Sequence, residues 1–371
     1  MKGATAGEMR GLNYGYPPGS PKIETMQLSL DQPVQDQFRV GARSCSENSN
    51  PDKSSLANSI LANSSRHIDA PRALALWHLA SLDAPTVAVT WSLAFAWAGR
   101  IQLSGRVVLV LALATWCVYV ADRILDARVF GVLAGADPAM WPALRERHYF
   151  HWRNRRLLVP LAAVAACAAG VLALTFLPSF VRERGFILAA AALTYFSGVH
   201  AAPWLERKRH SLPSLVSKEF LVAVLFAAGC ILPAWSRLHA SGAPEFLLTW
   251  LWIGGIYFGA LAWLNCRLIA VWEGENSDRK AGAQVRRFWV FKLFPAHSTN
   301  FCAAVLLASA GFLLACLSAG SHSRASALLA AGALSALLLA ILDSLQTRMT
   351  PLALRAGADF VLLTPVLLFL R

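Results

Sequence analysis

The chain has 371 residues, of which 56% are hydrophobic and 15% are charged, and its formal net charge is +13. Its mean hydropathy of +0.47 excludes a water-soluble domain of this length and indicates a multi-pass membrane protein. The seven cysteines form no CxxC pair and mostly lie in apolar stretches, which argues against a disulfide framework or thiolate metal centre.

The first seventy residues precede every apolar stretch that is long enough to cross a bilayer. They are rich in Ser, Asn, Pro, Gly and Gln, and such a segment buries too little apolar surface to offset its chain entropy. We predict that residues 1–70 form a disordered cytoplasmic arm and that residues 71–371 form the membrane domain. Within that domain, the stretch 71–82 predicts a short helix at the membrane surface.

Nine apolar segments of about twenty residues follow along the chain. Each is long enough to cross a hydrocarbon core of about 30 Å as a helix, which satisfies its own backbone hydrogen bonds where no water is present. The sequence therefore predicts an all-α bundle of nine transmembrane helices. The spans lie at approximately 83–101, 105–122, 157–178, 185–202, 216–235, 245–268, 298–318, 324–343 and 353–370.

Lys and Arg are concentrated at the loops that follow the even-numbered spans. Because cytoplasmic loops carry such an excess, the N-terminus is predicted to be cytoplasmic in an inner or plasma membrane. Anionic lipid headgroups account for the net charge better than nucleic acid does, since the chain shows no nucleic-acid-binding motif.

Polar and ionisable residues of the spans gather at their predicted cytoplasmic ends and leave the midplanes almost bare. Such residues are costly to place near lipid and usually have a function there. A transporter would be expected to keep ionisable groups near the midplane, so the pattern favours a site that opens to the cytoplasm. The residues are Asp83, Asp122, Asp126, Lys208, Arg209, Lys218, Glu219, Asn265, Arg267, Glu273, Asp343, Arg355 and Asp359.

Asp122 and Asp126 stand one helical turn apart at the end of the second span. At this spacing two carboxylates share a helix face, where they could hold Mg²⁺ together with phosphate oxygens of a substrate. The metal would stabilise a leaving diphosphate as its bond to carbon breaks, and nearby basic side chains would take the remaining charge. Aromatic faces could stabilise an allylic cation, and the candidates are Tyr119, Tyr195, Trp263 and Trp272.

These motifs resemble those of the UbiA-type intramembrane prenyltransferases, nine-helix proteins that move a prenyl group from its diphosphate to a lipophilic acceptor. The family carries the motif N-D-x-x-D-x-x-x-D after the second span, and here Val118, Tyr119, Asp122 and Asp126 occupy its frame. The basic pair of the family between the fourth and fifth spans is similar to Lys208-Arg209.

The second Asp-rich motif of that family resembles the stretch 265–275, where Asn265, Arg267 and Glu273 replace the usual acids. The resemblance implies a Mg²⁺-dependent enzyme that binds a prenyl diphosphate and a lipophilic acceptor, aromatic or lipid, among membrane lipids. It implies catalysis by Asp122, Asp126, Asn265 and Glu273, metal binding by Asp122, Asp126 and Glu273, and diphosphate binding by Arg123, Lys208, Arg209 and Arg267.

Simpler interpretations of the same residues stay open. Asp122 and Asp126 also fit a salt-bridged helix end with Arg123 and Arg128, and Lys208 and Arg209 fit ordinary cytoplasmic anchors. Asp83, Asp343 and Asp359 fit interhelical hydrogen bonds, with Arg355 as a partner for Asp359 one turn away. The basic run 145–156, which contains His148 and His151, is predicted to lie on the membrane surface.

Two other functional classes also stay open. A transporter or lipid-handling protein would give its substrate access from both faces without Mg²⁺. A catalytically silent relative would act as a scaffold, and the absence of the leading Asn-Asp pair favours it.

Overall fold

The structure is a computed structural model that describes residues 68–133, 146–205, 218–281, 296–320 and 323–370. The described residues form an all-α fold with no β-strand among them. Most of the predicted N-terminal arm lies outside the described residues, and so does the loop that carries Lys208 and Arg209.

The described chain forms eleven α-helices and a final 3-10 segment. They are α1 (Arg72–Leu79), α2 (Asp83–Ala98), α3 (Gly105–Leu133), α4 (Glu146–Arg153), α5 (Arg155–Phe176), α6 (Ser179–Leu205), α7 (Lys218–Ala240), α8 (Glu245–Ala281), α9 (Ala296–Ser318), α10 (Ser323–Ser344), α11 (Pro351–Phe360) and the 3-10 segment Val361–Phe369.

Each of the nine predicted spans coincides with one of the longer helices or, for the last, with α11 and the 3-10 segment. Within the described ranges, seven spans are long and apolar enough to cross a membrane. An eighth arises if α1 and α2, which meet at a bend of 89°, are counted as one broken span. These helices define a multi-pass membrane protein, and the number nine stays a prediction.

The outer surface of the bundle is apolar, as lipid requires. Ile187, Ile256 and Leu306 are 72%, 70% and 69% exposed, and many other large apolar side chains share this outward position. In water such a surface would be unfavourable by about 25 cal/mol per Å². In the interior, Trp91 of α2 stacks on Phe258 of α8 with ring centroids 4.1 Å apart. Stacked aromatic rings thus lie within the interior, while large apolar side chains cover the outside.

Pro365 explains why the last span ends as a 3-10 segment. A proline has no N–H, so the carbonyls of Val361 and Leu362 lose the backbone donor that a helix would provide. Ser335 Oγ donates to the Val361 carbonyl at 2.8 Å, and Trp91 Nε1 donates to the Leu362 carbonyl at 2.8 Å. Side chains of α10 and α2 therefore satisfy carbonyls that lipid could not, which ties this segment to the bundle.

Glycines allow α8, α9 and α10 to approach one another around a single tyrosine. A methyl group added at Gly332 would lie 2.6 Å from Tyr257 Cε1 and 3.3 Å from Trp91 Cη2, and one added at Gly311 would collide with the Tyr257 hydroxyl. Tyr257 is 5% exposed, and its hydroxyl donates to the Leu307 carbonyl at 3.0 Å. Because Tyr257 is buried and hydrogen-bonded, a methyl group at either position would force the ring out of this packing, which favours glycine at both.

We therefore expect Gly332→Ala to lower the free energy of unfolding by about 1–3 kcal/mol, the usual cost of overpacking a close-packed core. Gly170→Ala is the matched control, because a methyl group there meets no atom within 4 Å and alanine favours a helix by up to about 1 kcal/mol. Thermal unfolding in detergent should show lower stability for Gly332→Ala and no loss of stability for Gly170→Ala. Equal stability of Gly332→Ala and the parent would contradict this packing.

Candidate polar site at one end of the bundle

A sharp turn between α1 and α2 begins the site. Residues 80–82 separate the two helices, and Ser81 adopts a φ of 55°, in the left-handed region that residues other than glycine rarely occupy. Ser81 is 3% exposed, and its Oγ lies 3.2 Å from His151 Nε2 of α4. This buried contact stabilises the turn, at which the chain bends by 89° between α1 and α2.

The turn brings His78 of α1 against two carboxylates. His78 Nδ1 lies 2.7 Å from Asp83 Oδ2 and 3.3 Å from Asp359 Oδ2, and the imidazole and Asp83 are almost fully buried. Asn265 of α8 donates from Nδ2 to Asp359 Oδ1 at 3.0 Å. Four helices, α1, α2, α8 and α11, therefore each contribute one side chain to this group, which we call the His78 cluster.

The charge of the His78 cluster follows from competing effects on the imidazole. Burial disfavours the imidazolium, but hydrogen bonds to Asp359 and Asp83 and the charge of both carboxylates outweigh it, so the pKa of His78 is raised above its ordinary value of 6.5. In this arrangement one imidazolium is shared between two carboxylates.

A second buried group of charges surrounds Glu273 near the end of α8. Its Oε1 lies 2.9 Å from Arg355 Nε of α11 and 3.4 Å from Arg147 Nη2 of α4. Glu273 and Arg355 are 9% and 8% exposed. Arg147, Glu273 and Arg355 form an ion triad that holds one turn of α8 between α4 and α11. The neighbouring Trp272 donates from Nε1 to Asp343 Oδ1 of α10 at 2.8 Å.

Helix α4, which the sequence predicts to lie on the membrane surface, also packs against the protein. His148 and His151 are 4% and 0% exposed. His151 Nδ1 lies 2.8 Å from the Arg147 carbonyl, and burial lowers the pKa of His151. The neutral ring donates from Nδ1 to that carbonyl, so Nε2 accepts from the Ser81 hydroxyl. Amphipathic pattern alone does not distinguish lipid from a protein neighbour, which explains the difference.

The end of the second predicted span carries Asp122 and Asp126, both half-buried. Asp122 Oδ2 accepts from Arg123 Nη1 at 2.9 Å, which matches the salt-bridged helix end that the sequence left open. The charge of Arg123 also interacts with Asp83 and Asp126. Tyr195 of α6 is within electrostatic range of Asp122, Asp126 and Glu219, so α3, α6 and α7 approach one another here.

The other sequence-predicted site residues are distributed unevenly. Asn265 joins the His78 cluster, and Glu273 joins the ion triad. Arg267 is exposed on α8, donates from Nε to Asn300 Oδ1 at 3.1 Å and lies over the Trp263 ring. Lys208 and Arg209 lie outside the described residues. Of the predicted set, Asp122, Arg123 and Asp126 are close together, while the stretch 265–273 lies along α8 and contacts α9, α10 and α11 as well.

The expected hydrogen-bonding role of three acids is confirmed, with one change of partner. Asp83, Asp343 and Asp359 each pair with a residue of another helix. The partners of Asp359 are His78 and Asn265, whereas Arg355 pairs with Glu273. Sequence reasoning missed His78 altogether, and its only signal was a histidine five residues before an acid at the start of a span.

A cavity of about 240 Å³ lies at the opposite end of the bundle, where α2 ends and α8 and α10 begin. Its lining includes Arg100, Trp250 and Arg324 and contains no carboxylate. It is therefore remote from both groups of acids, and its chemistry does not suit a metal ion.

Comparison of the chain with protein-family models, with curated proteins and with solved structures finds no match. The fold and the site define the class directly: a multi-pass helical membrane protein whose buried charges meet at one end of an apolar bundle. The particular activity is argued from those charges.

Proposed function

We propose that this protein is an integral-membrane prenyltransferase with nine spans, a UbiA-like architecture and a cytoplasmic N-terminus in the inner or plasma membrane. It would move a prenyl group from its diphosphate to a lipophilic acceptor in a Mg²⁺-dependent reaction. The observation that carries the proposal is that Asp122 and Asp126 of α3 both lie within electrostatic range of Tyr195 of α6, at the polar end of a bundle that is otherwise apolar.

The donor chemistry of Asp122 and Asp126 suits Mg²⁺. This ion prefers oxygen ligands and is usually held by one or two carboxylates together with waters and substrate phosphates. Both acids are half-buried on α3, and Arg123 beside them adds the positive charge that a diphosphate attracts. Glu273 fits less well, because its ion pairs with Arg147 and Arg355 would have to break.

The protein's own residues would perform the remaining tasks. When bound, Mg²⁺ would offset the negative charge that develops on the leaving diphosphate. Arg123 lies over the Tyr119 ring at 5.6 Å, which places one aromatic face next to the basic side chain. The Tyr195 hydroxyl is buried and, among the described residues, has no hydrogen-bond partner, so it is able to bond a polar ligand beside Asp122 and Asp126.

The direct test supplies purified full-length protein in lipid nanodiscs with prenyl diphosphates of several chain lengths, an aromatic or lipid acceptor and Mg²⁺. We expect release of diphosphate and a prenylated acceptor, both abolished by a chelator. Mass spectrometry of lipids that co-purify with the protein would identify the tail that the bundle holds. Absence of diphosphate release with every chain length, while a control prenyltransferase remains active under the same conditions, would refute the proposal.

A second candidate, a catalytically silent scaffold, is favoured by one observation. Glu273 pairs with two arginines and Asp122 with Arg123, so two of the three predicted metal ligands already have cationic partners. A scaffold would bind neither Mg²⁺ nor diphosphate, whereas the enzyme would bind both. Isothermal titration of Mg²⁺ in the presence of a non-hydrolysable prenyl diphosphate analogue separates the two candidates.

A further inference from the structure

The His78 cluster has the composition and spacing of a divalent-metal site. One ligand atom each from His78, Asp83 and Asp359 lies within 4.8 Å of the others. Two ligands about 2.0–2.1 Å from a tetrahedral zinc ion stand roughly 3.3 Å apart. The separation of His78 Nδ1 from Asp359 Oδ2 is already 3.3 Å, and that from Asp83 Oδ2 is 2.7 Å. The His78–Asp83 pair has to open by about half an ångström to admit the ion, and the ligand oxygens of Asp83 and Asp359 lie within 4.8 Å of each other.

Buried polar atoms beside the three ligands lack hydrogen-bond partners. His78 and Asn265 are 3% and 5% exposed, and within the described part of the chain neither His78 Nε2 nor Asn265 Oδ1 has a hydrogen-bond partner. An unpaired buried polar group is unfavourable, and most buried polar atoms of native proteins have a hydrogen-bond partner. The Asn265 amide, which donates to Asp359, is thus a buried polar group beside the proposed ligands that the described part of the chain leaves partly unsatisfied.

The charges of the cluster also favour a cation. Asp83 and Asp359 are two acids in a poorly hydrated place, and His78 supplies at most one positive charge to them. Arg123, which interacts with Asp83, already pairs with Asp122 at 2.9 Å. A divalent ion with a neutral imidazole and two carboxylates gives a neutral site, which is the form that burial tolerates best.

We propose that His78, Asp83 and Asp359 bind a first-row divalent metal ion of the zinc type. Asn265 orients the Asp359 carboxylate through its Nδ2 hydrogen bond, as outer partners of metal ligands commonly do. An imidazole ligand favours zinc over Mg²⁺, which prefers oxygen donors alone. The ion would join α1, α2 and α11 where the chain turns at Ser81, and this role is independent of prenyl transfer.

The test begins with the full-length protein itself. Metal analysis after purification without chelator, followed by Zn²⁺ titration against a chromophoric chelator, should give one tight site per chain. Co²⁺ in place of Zn²⁺ should produce the visible absorption of a low-coordinate site without a thiolate charge-transfer band. Added Zn²⁺ should raise the melting temperature of chelator-treated protein. If the full-length protein shows no tight site, the proposal is wrong.

Variants then locate the site. His78→Gln and Asp359→Asn should each weaken Zn²⁺ binding by more than 100-fold, and Asn265→Ser by about 10–100-fold, the usual effect of an outer partner. His239→Gln, which removes an exposed histidine on α7, is the matched control for binding at the surface. Unchanged affinity in both His78→Gln and Asp359→Asn would overturn the proposal. If a variant fails to fold, the Co²⁺ spectrum of the parent protein still tests the proposal. A thiolate charge-transfer band would assign the metal to cysteine and contradict binding by His78, Asp83 and Asp359.

Discussion

Glu273→Gln is expected to lower the free energy of unfolding by about 3–5 kcal/mol, the cost of removing one partner from a buried ion pair. The substitution keeps the shape of the side chain but removes the negative charge that faces Arg355 and Arg147. Two buried guanidinium groups would then repel each other in a poorly hydrated environment. The effect should exceed that of removing any exposed acid.

Thermal and denaturant unfolding in detergent measure this effect, and Glu245→Gln is the control. Glu245 is an exposed acid at the other end of the same helix, so its substitution should change stability by no more than about 0.5 kcal/mol. A double-mutant cycle with Arg355→Gln should give a coupling energy of at least about 0.5 kcal/mol. If Glu273→Gln instead leaves stability unchanged and abolishes Mg²⁺ binding, Glu273 is a metal ligand and the ion triad is not structural.

The helices were predictable from the sequence because lipid imposes a simple rule on each span. An apolar stretch of about twenty residues has to be helical to satisfy its backbone, and the segments 157–178 and 324–343 are accordingly α5 and α10. The 3-10 segment after Phe360 was not predicted, although Pro365 was its signal. Its stability depends on Ser335 and Trp91, which are distant in sequence, and no local pattern reveals them.

The site was predictable in its location but not in its pairings. The polar residues of the spans lie at their predicted cytoplasmic ends, which indicated that one end of the bundle is charged. The contacts of Asp83, Glu273 and Asp359 lie at that end. The expected pairing of Asp359 with Arg355 came from helical spacing, which describes only neighbours on the same helix. The partners that the structure shows come from α1 and α8. His78 reaches Asp359 because the chain bends by 89° between α1 and α2, at the turn that contains Ser81.

The largest functional effect is expected for the double substitution Asp122→Asn with Asp126→Asn, which should lower the rate of prenyl transfer by at least about 10²–10³-fold. Removing a single electrostatic contact to the developing charge costs this much in other enzymes, and here both metal ligands would be lost. The asparagines preserve the size of the side chains on α3. Arg123 loses its partner at 2.9 Å, so a modest loss of stability should accompany the loss of activity.

Diphosphate release and the apparent affinity for Mg²⁺ are the two measurements that test this prediction. Glu183→Gln is the control. Glu183 is an exposed acid near the start of α6, whereas Tyr195 lies further along the same helix, so this substitution should leave both values unchanged. A protein that unfolds would lose activity at every Mg²⁺ concentration, whereas a weakened metal site should recover part of it at high Mg²⁺. Full activity of the double variant would refute the assignment of Asp122 and Asp126 as Mg²⁺ ligands, because the reaction would then not need their carboxylates.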